Sequence, residues 1–343
     1  MKILVRDKQG EIIFQNIDSV CLKCETECKN ECSIFLCPDN NDELRQGKRI
    51  SNNGSFFICC NRSETKTSKL FKDKLEMLIY SVPTIKKIKE EVYSKTKHFE
   101  QDKYQRIVHN LRTINAQSIQ EQFSLIPQDI LAENYKNQIQ YIKNEIIKNP
   151  DKAAEVFLRI AKNNANVKTE FVTHEKLSIE NPLLSINNHN IRSVILNVFH
   201  AFSLELKSKS VTMDIFIEKK HLSFDYDTIR VAFYHLFHNA TKYIKPNTIL
   251  KIECEECSDL FKVMFKMESI HIEEHEITKM FADNYSGIRV VEKSKQGAGL
   301  GMGLIRKALE LNNATIQVIA GREIDRKSKI DYSKNEFVIS FKQ

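Results

Sequence analysis

Apolar side chains recur at steps of three and four residues along a stretch that begins near Ser68 and runs for more than fifty residues. The members of this stripe are Ile85, Ile88, Val92, Phe99, Ile107, Leu111, Ile114, Ile119 and Phe123. This spacing places all of them on one face of a long α-helix. One helix alone cannot shield such a face from water, so the stripe requires partner helices and argues against an all-β sandwich or barrel.

Further helices are expected to supply these partners. Pro83 is expected to interrupt the stripe near its start, and the sequence SLIPQD to end it. We expect Asp129 to cap a second helix over about 131–148, and Asp151 to cap a third. The third helix has an apolar face made of Ala153, Val156, Phe157, Ile160, Ala161, Val167 and Phe171. A two-helix hairpin leaves such narrow seams partly open, so we expect a dimeric four-helix bundle.

Length and charge limit the classes of protein to consider. A chain of 343 residues suggests two or three domains, and only 9 glycines and 6 prolines favour helices. The net charge is +7, but basic and acidic residues are mixed along most of the chain, so we do not expect a nucleic-acid partner. The chain has no long apolar run, and its opening residues predict a β-hairpin around Asp7–Gly10 rather than a signal peptide. We therefore expect a cytoplasmic protein without membrane insertion.

Cysteines are concentrated near the start of the chain. Seven of the nine lie in the first 60 residues, at Cys21, Cys24, Cys28, Cys32, Cys37, Cys59 and Cys60. In a reducing compartment such a cluster indicates metal more than disulfides, with zinc or an iron–sulfur cluster as the two alternatives. The spacing matches neither a standard zinc ribbon nor a ferredoxin run, and free or redox-active thiols remain the alternative. We expect a small Cys-rich sensor domain over 1–64, closed by the strand GSFFICC.

Mixed helix and strand patterns follow from about residue 178. The predicted helices are IRSVILNVFHAFSLELKSKS, DYDTIRVAFYHLFHNATKYI and GMGLIRKALELNN. The predicted strands are VTMDIFIE, the hairpin NTILKIECEECSDLFKVMFKM, ATIQVIA and EFVISFK. They do not follow a strict βαβ repeat, which predicts a layered α+β domain. The whole chain is thus expected to be an α+β multidomain protein, divided into 1–64, 65–177 and 178–343.

The sequence HLFHNATKYIKP carries the first candidate site. His235 and Asn239 are four residues apart and share one face of a predicted helix. The amide oxygen of Asn239 suits a Mg²⁺ ion that phosphates also hold. Lys242 is placed to reach a phosphate, and Tyr243 to lie along a base or ribose. On its own, this pattern also fits an ordinary solvated helix face.

The sequence GAGLGMGL carries the second candidate site. Its glycines, Gly297, Gly299, Gly301 and Gly303, are four of the nine in the chain. Glycine lets backbone amides approach phosphates closely, and the helix that follows directs its N-terminus at an anion. The loop has no Gly-Lys-Ser/Thr ending and no surrounding βαβ unit, so it is neither a Walker nor a Rossmann motif. A plain turn is the alternative for this loop considered alone.

These two motifs, together with the sequence VHNLRTIN in the long helix, resemble those of sensor histidine kinases of the GHKL ATPase superfamily. HxxxNAxKY, followed about 55 residues later by GxGLGxGL, resembles the N-box and the second G-box. KMFADNYSG is similar to the Phe-containing box between them, and HNLRT resembles the phosphoacceptor H-box. The resemblance covers 178–343 and extends to the helical hairpin, but does not include 1–64.

The resemblance implies a function and a cofactor. His109 would accept the γ-phosphoryl group of ATP and pass it to an aspartate of a response regulator, where Thr113 would assist dephosphorylation. Mg²⁺ would bind Asn239. The other nucleotide contacts would come from His235, Lys242, Tyr243 and a mobile lid that contains Gly297, Gly299 and Gly301. The last domain would be a GHKL-type α/β sandwich, and the chain a homodimer.

Two positions depart from the family pattern. Met267 stands where the first G-box has the Asp that binds the adenine amino group, although Ser269 is close enough in sequence to contribute a contact. Asn110 stands where an acidic residue usually follows the phosphoacceptor, and an amide cannot take up a proton. A degenerate pseudokinase that binds nucleotide weakly or not at all and acts as a scaffold is therefore the alternative function. A metal-stabilised nucleic-acid binder with an ATPase domain is a third, which the mixed charge disfavours.

Overall fold

The computed structural model has a mixed helix and sheet architecture and two compact units, Met1–Arg106 and Ile107–Gln343. The residues that it describes are 1–28, 32–37, 42–64, 66–133, 135–282, 285, 299–325 and 330–342.

A five-stranded antiparallel sheet forms the first unit. Its strands are β1 (Lys2–Asp7), β2 (Ile12–Gln15), β3 (Ser33–Leu36), β4 (Glu43–Ser51) and β5 (Gly54–Asn61), in the spatial order β2-β1-β5-β4-β3. The expected opening hairpin is confirmed, since β1 pairs with β2 and Gly10 occupies the turn with φ +85°. The expected strand GSFFICC is confirmed as β5, which lies at the centre of the sheet.

Helices cover the sheet of the first unit. They are α1 (Ser19–Glu27), α2 (Ser68–Tyr80) and the first part of α3 (Val82–Leu125). Successive side chains of a strand point to opposite faces, so β5 supplies two separate apolar clusters. Phe56 packs with Phe71 and Leu75 of α2, whereas Phe57 packs on the other face with Leu4.

The long helix α3 follows the apolar stripe of the sequence. Its 44 residues span roughly 66 Å at 1.5 Å per residue. Pro83 lies in its first turn, where the missing N–H costs no helical hydrogen bond, and Ser81 separates α2 from α3. The helix ends at Leu125, within the sequence SLIPQD that was expected to end it. Within the described residues, no helix combines the length and the apolar character needed to cross a membrane.

Three more helices follow, and they correct parts of the sequence analysis. They are α4 (Gln128–Glu133), α5 (Gln138–Lys148) and α6 (Pro150–Val172). The single helix expected over 131–148 is therefore two, because the sequence NYKN (134–137) between them contains two asparagines, which favour turns. The expected N-caps Asp129 and Asp151 are wrong: both lie inside the first helical turn, where their charge still favours the helix dipole.

Helices α3 and α6 run antiparallel to each other. Near the connecting segment, the Lys152 ammonium donates a hydrogen bond to the carbonyl of Ser124. Further from it, the Arg159 guanidinium lies 3.4 Å from the Glu121 carboxylate. The α-helical ladder of α6 then ends in a short π-helical turn, Thr173–Leu177. The hairpin of the sequence analysis is thus present in the second unit.

The remainder of the second unit is a layer of helices on a sheet. Its helices are α7 (Ile191–Phe199), α8 (Ser203–Ser208), α9 (Tyr226–Tyr243) and α10 (Gly301–Glu310). Its strands are β6 (Ile186–Asn190), β7 (Thr212–Phe216), β8 (His221–Asp225), β9 (Ile249–Cys257), β10 (Leu260–Ile270), β11 (Ala314–Ile319), β12 (Ile324–Asp325) and β13 (Tyr332–Lys342). The expected strands and the helices α9 and α10 are confirmed. The single helix expected over IRSVILNVFHAFSLELKSKS is instead two, α7 and α8, with a 3₁₀ turn at His200–Phe202 between them, and the two-stranded β6–β8 sheet was not expected.

The main sheet has the order β11-β13-β10-β9-β7, and β12 also pairs with β13. All of these pairs are antiparallel except β7–β9. Alternate residues of β10 are buried beneath the helices, among them Phe265 and Met267. Phe233 and Phe237 of α9 lie over Phe265, with ring centroids 6.0 and 5.4 Å from it. This contact fixes α9 on the sheet and so places the residues near its C-terminal end.

Asp225 connects separate segments at the start of α9. Its carboxylate caps the helix by accepting from the backbone N–H of Thr228 at 3.0 Å, and it also accepts from the N–H of Ser185 at 2.8 Å. The Lys176 ammonium, in the π-helical turn, lies 2.7 Å away. Burial by itself would raise the pKa of this carboxyl, but these hydrogen bonds lower it below its ordinary value.

Replacing Asp225 by alanine is expected to destabilise the protein by about 2–4 kcal/mol. Helix α9 would lose its cap, the backbone N–H of Ser185 would lose its acceptor, and Lys176 would keep only Asp227, 3.8 Å away. Urea unfolding followed by circular dichroism measures this loss. Asp259→Ala, in the exposed turn between β9 and β10, is the matched control and should change stability by less than about 0.5 kcal/mol. Similar losses for the two variants would contradict this role of Asp225.

Candidate functional site

A cavity of about 510 Å³ lies in the second unit and collects the residues that the sequence motifs singled out. Those that line it are His109, Thr113, His235, Asn239, Lys242, Tyr243, Ser269, Gly299 and Gly301. Gly297 lies outside the described residues. Segments of α3, α9, β10 and the glycine-rich loop, which are far apart in the sequence, therefore meet around one space of a size that holds a small-molecule ligand.

Asn239 faces the beginning of α10. Its Nδ2 amide group donates to the sulfur of Met302 at 3.4 Å. A Cβ built on Gly301 would lie 3.5 Å from Oδ1 of Asn239, which is ordinary contact. The amide oxygen thus lies beside a residue that has no side chain, and this leaves room for a ligand next to an oxygen suited to a hard cation.

His235 lies one turn before Asn239 on the same helix. Its Nε2 atom is buried and has no hydrogen-bond partner among the residues that the structure describes. Burial lowers the pKa of the His235 imidazole to about 3, with a smaller contribution from nearby His238. The ring is therefore neutral at pH 7, and a buried polar atom without a partner is what a bound ligand can satisfy.

Lys242 and Tyr243 occupy the end of α9. The Lys242 ammonium lies 5.3 Å from the centroid of the Tyr243 ring, within the range of a cation–π contact. Burial raises the pKa of the Tyr243 phenol, which therefore stays protonated near neutral pH. The cavity wall thus combines a positive charge with an aromatic face, a pair suited to an anionic ligand that carries a ring.

The end of β10 contributes an apolar and a polar residue. Met267 is buried on the cavity side, whereas Glu268 points to the other face of the strand, where it accepts a hydrogen bond from Lys245 at 2.8 Å. Ser269 Oγ accepts from the Asn335 amide at 2.9 Å, so its hydroxyl proton can be donated elsewhere. This strand therefore gives the cavity a thioether and a hydroxyl group but no carboxylate.

His109 and Thr113 lie one turn apart on α3. Both side chains are exposed and line the cavity. The Thr113 hydroxyl donates to the carbonyl oxygen of His109 at 3.0 Å, as helical threonines commonly do. Gly299, across the cavity, has φ +69°, a left-handed conformation that favours glycine. It shows why the loop needs a glycine at this position.

Several lining residues were not singled out by the sequence. They are Glu170, Tyr234, His238, His271 and Glu276. Glu276 is buried and accepts from the Tyr285 hydroxyl at 2.9 Å and from the backbone of Glu273 at 3.1 Å. Tyr285 belongs to the KMFADNYSG box, which was the one available signal. Only the pairing of α6 with α3 brings Glu170 to the cavity, so no local sequence motif could have identified it.

The cysteines of the first unit share a smaller cavity of about 210 Å³. Those that line it are Cys21, Cys24, Cys37, Cys59 and Cys60. The other two predicted ligands do not line it: Cys28 packs among apolar residues, and the Cys32 sulfur accepts from Arg45 at 3.8 Å. No disulfide joins any of the described cysteines.

The expected zinc or iron–sulfur site is not supported. Across the described part of the chain, no group of three or more His, Cys, Asp or Glu side chains is arranged to hold a metal ion. Burial raises the pKa of the Cys59 thiol to about 12, and burial also raises those of Cys21 and Cys24. Metal ligation requires thiolates, so an ion bound here would have to displace the protons of these thiols.

Comparison with known proteins gives similarity only at the level of solved structures. No family model and no curated protein matches the chain. The catalytic domain of histidine kinase ThkA is 18% identical, over 46% of this chain and 98% of that domain, with a TM-score of 0.39. The Acinetobacter baumannii histidine kinase AdeS is 17% identical over 68% of this chain and 97% of its own, with a TM-score of 0.37.

The mycobacterial sensor histidine kinase MprB is 12% identical over 46% of this chain and 100% of its own, also with a TM-score of 0.37. Because these TM-scores are below 0.5, we take the function of this chain from the residues of its cavity and not from these neighbours.

The protein is expected to lose stability in acid through His235. Its folded pKa of about 3 lies below the unfolded value of about 6.5, so the unfolded state takes up a proton as the pH falls through 6.5. Between pH 7 and pH 5 this costs up to about 2 kcal/mol of unfolding free energy, and His235→Gln should remove that part of the loss. Urea unfolding at both pH values tests this, with His200→Gln, on an exposed turn, as the control that keeps the full loss.

Proposed function

We propose that this protein is a protein-histidine kinase. The cavity of the second unit binds ATP with Mg²⁺, the γ-phosphoryl group passes to His109, and an aspartate on a response regulator then receives it. The observation that carries the proposal is the lining of one cavity by both His109 and Asn239. A nucleophilic imidazole and the candidate nucleotide residues belong to one enclosed space in the same chain.

The cavity residues fit a magnesium nucleotide. The Asn239 oxygen beside Gly301 is suited to Mg²⁺, and the orphaned His235 nitrogen supplies a buried polar contact. The Lys242 charge and the backbone amides of the glycine-rich loop suit phosphates. Bound Mg²⁺ would offset the negative charge of the phosphates. Phosphoryl transfer depends mostly on positioning and charge neutralisation, which these groups provide.

His109 is suited to act as the nucleophile. Its side chain is exposed on α3 and faces the cavity, so the ring can reach a ligand there. A neutral imidazole has a free lone pair on one ring nitrogen, which can attack phosphorus. Thr113, one turn later, presents a hydroxyl oxygen that can position the water for dephosphorylation of the regulator.

A scaffold function without catalysis is the second candidate. Met267 on the cavity side of β10 cannot accept a hydrogen bond from an adenine amino group as a carboxylate does, and Asn110 cannot take up a proton. Both features favour weak or absent nucleotide binding, with signalling through bound partners. The glycine-rich loop and the Asn239 site oppose this function, because a scaffold needs neither.

We also propose that the active form is a homodimer. The helices of the second unit leave large apolar side chains in water: Ile147 is 76% exposed and Phe157 is 71% exposed. A second copy would bury these side chains in a four-helix bundle. The first unit would then be the sensor domain, upstream of the long helix.

Incubation with ATP radiolabelled at the γ position and Mg²⁺ tests the kinase function. We expect acid-labile, base-stable label on the wild type and none on His109→Gln. His200→Gln, which changes an exposed histidine outside the cavity, should be labelled like the wild type. An unlabelled wild type without measurable affinity for ATP would overturn the kinase function in favour of the scaffold. Label on His109→Gln would overturn the choice of acceptor.

Gly301→Ala is expected to weaken ATP binding about tenfold while leaving the melting temperature nearly unchanged. The added methyl group would meet Asn239 only at ordinary contact distance, so the fold tolerates it, but it would fill space beside the amide oxygen. A tenfold change in affinity corresponds to about 1.4 kcal/mol. Isothermal titration calorimetry with a non-hydrolysable ATP analogue measures the affinity. Unchanged affinity would show that the nucleotide does not occupy this space.

A further inference from the structure

One carboxylate on the α3 side of the large cavity has no role in the site described so far. Glu170, on α6, lines the same cavity as His109 and is partly buried. Its Oε2 accepts a hydrogen bond from the Nδ2 amide of Asn110 at 3.2 Å. Asn110 directly follows His109 on α3, so the second helix of the hairpin presents a carboxylate beside the candidate acceptor.

The register between α3 and α6 explains why Glu170 lies beside Asn110. The Arg159–Glu121 pair is one contact between α6 and α3, and Asn110 lies eleven residues before Glu121 while Glu170 lies eleven after Arg159. Eleven residues are close to three full turns of an α-helix, so each residue returns to the same face of its helix. In antiparallel helices these equal steps lead to the same height. The Asn110–Glu170 contact is therefore a consequence of the hairpin register.

The proposed transfer creates a need for such a carboxylate. When one imidazole nitrogen bonds to phosphorus, positive charge develops on the ring and the proton on the other nitrogen becomes acidic. The neutral Asn110 amide can neither offset that charge nor take the proton. The described lining contains two carboxylates, Glu170 and Glu276, and Glu276 is occupied by Tyr285 and a backbone N–H.

We propose that Glu170 is the positioning residue for His109 and supplies, from α6, the carboxylate that its sequence neighbour lacks. During the transfer, Glu170 would accept a hydrogen bond from the ring N–H of His109, while Asn110 holds the carboxylate beside that ring. The unprotonated ring nitrogen then forms the N–P bond, the P–O bond to ADP breaks, and its electron pair leaves with ADP. The ring proton passes to Glu170 and then to water, which leaves a neutral phosphoimidazole. This inference rests on the proposed kinase function.

Moving the carboxylate from one helix to the other tests the inference. The initial rate of labelling is measured against ATP concentration for the wild type, Glu170→Gln, the double variant Glu170→Gln with Asn110→Asp, and Glu155→Gln. We expect kcat of Glu170→Gln to fall about a hundredfold, the usual scale for a lost proton acceptor, with KM for ATP within twofold. In the double variant, the added Asn110→Asp change should raise kcat at least tenfold above that of Glu170→Gln alone. Glu155→Gln, an exposed position on the same helix, should match the wild type.

The possible results distinguish a failure of the proposed role of Glu170 from a failure of the proposed kinase function. An unlabelled wild type overturns the kinase function itself. A labelled wild type with an unchanged Glu170→Gln overturns only the role of Glu170. An equal fall in kcat for Glu170→Gln and for the double variant also overturns this role, because a carboxylate on α3 should replace one on α6. A raised KM with unchanged kcat would assign Glu170 to nucleotide binding and likewise overturn the positioning role.

Discussion

The buried carboxylate of Asp225 is the interaction on which the geometry of the second unit depends. It ends a strand, begins α9, and holds Lys176 and the backbone of Ser185 at the same point. Asn312, just beyond α10, accepts a hydrogen bond from the backbone N–H of Asp225 at 2.7 Å, so the helix that follows the glycine-rich loop is tied to it as well. Asp225 thus connects the helical hairpin, helix α9 and helix α10 at one acidic group. A carboxylate that is 1% exposed can hold this position because each of its oxygens has hydrogen-bond partners.

Much of the fold could be predicted because its periodic signals are strong. The stripe of α3 and the alternating strands β9 and β10 were found from spacing alone. The pair β6–β8 was missed because INNHN is almost entirely polar, and its strand conformation comes from pairing with HLSFD rather than from local preference. The division between α4 and α5 was missed because apolar residues continue at helical spacing across the segment that separates the two helices.

The candidate site, like the fold, could be predicted from the sequence only in part. Residues such as Asn239 and Gly301 could be named in advance, because they carry the chemistry in short motifs on adjacent elements. Glu170 could not, because its place depends on the register of two helices joined by more than twenty residues. The cysteine prediction had a similar weakness: seven thiols close in sequence were expected to act together, but Cys28 and Cys32 do not line the cavity that the other five share.

The π-helical turn Thr173–Leu177 sets the rotation between the helical hairpin and the rest of the second unit. A π-helical turn accommodates one residue more than the α-helix it continues, and each α-helical residue turns the chain by about 100°. The residues after Val172 therefore leave the hairpin rotated by about that angle from the direction a regular helix would give them. Lys176 reaches Asp225 from this rotated path. A single-residue deletion here would restore a regular helix and turn Lys176 away from its partner, so the orientation of the hairpin toward the large cavity depends on one inserted residue.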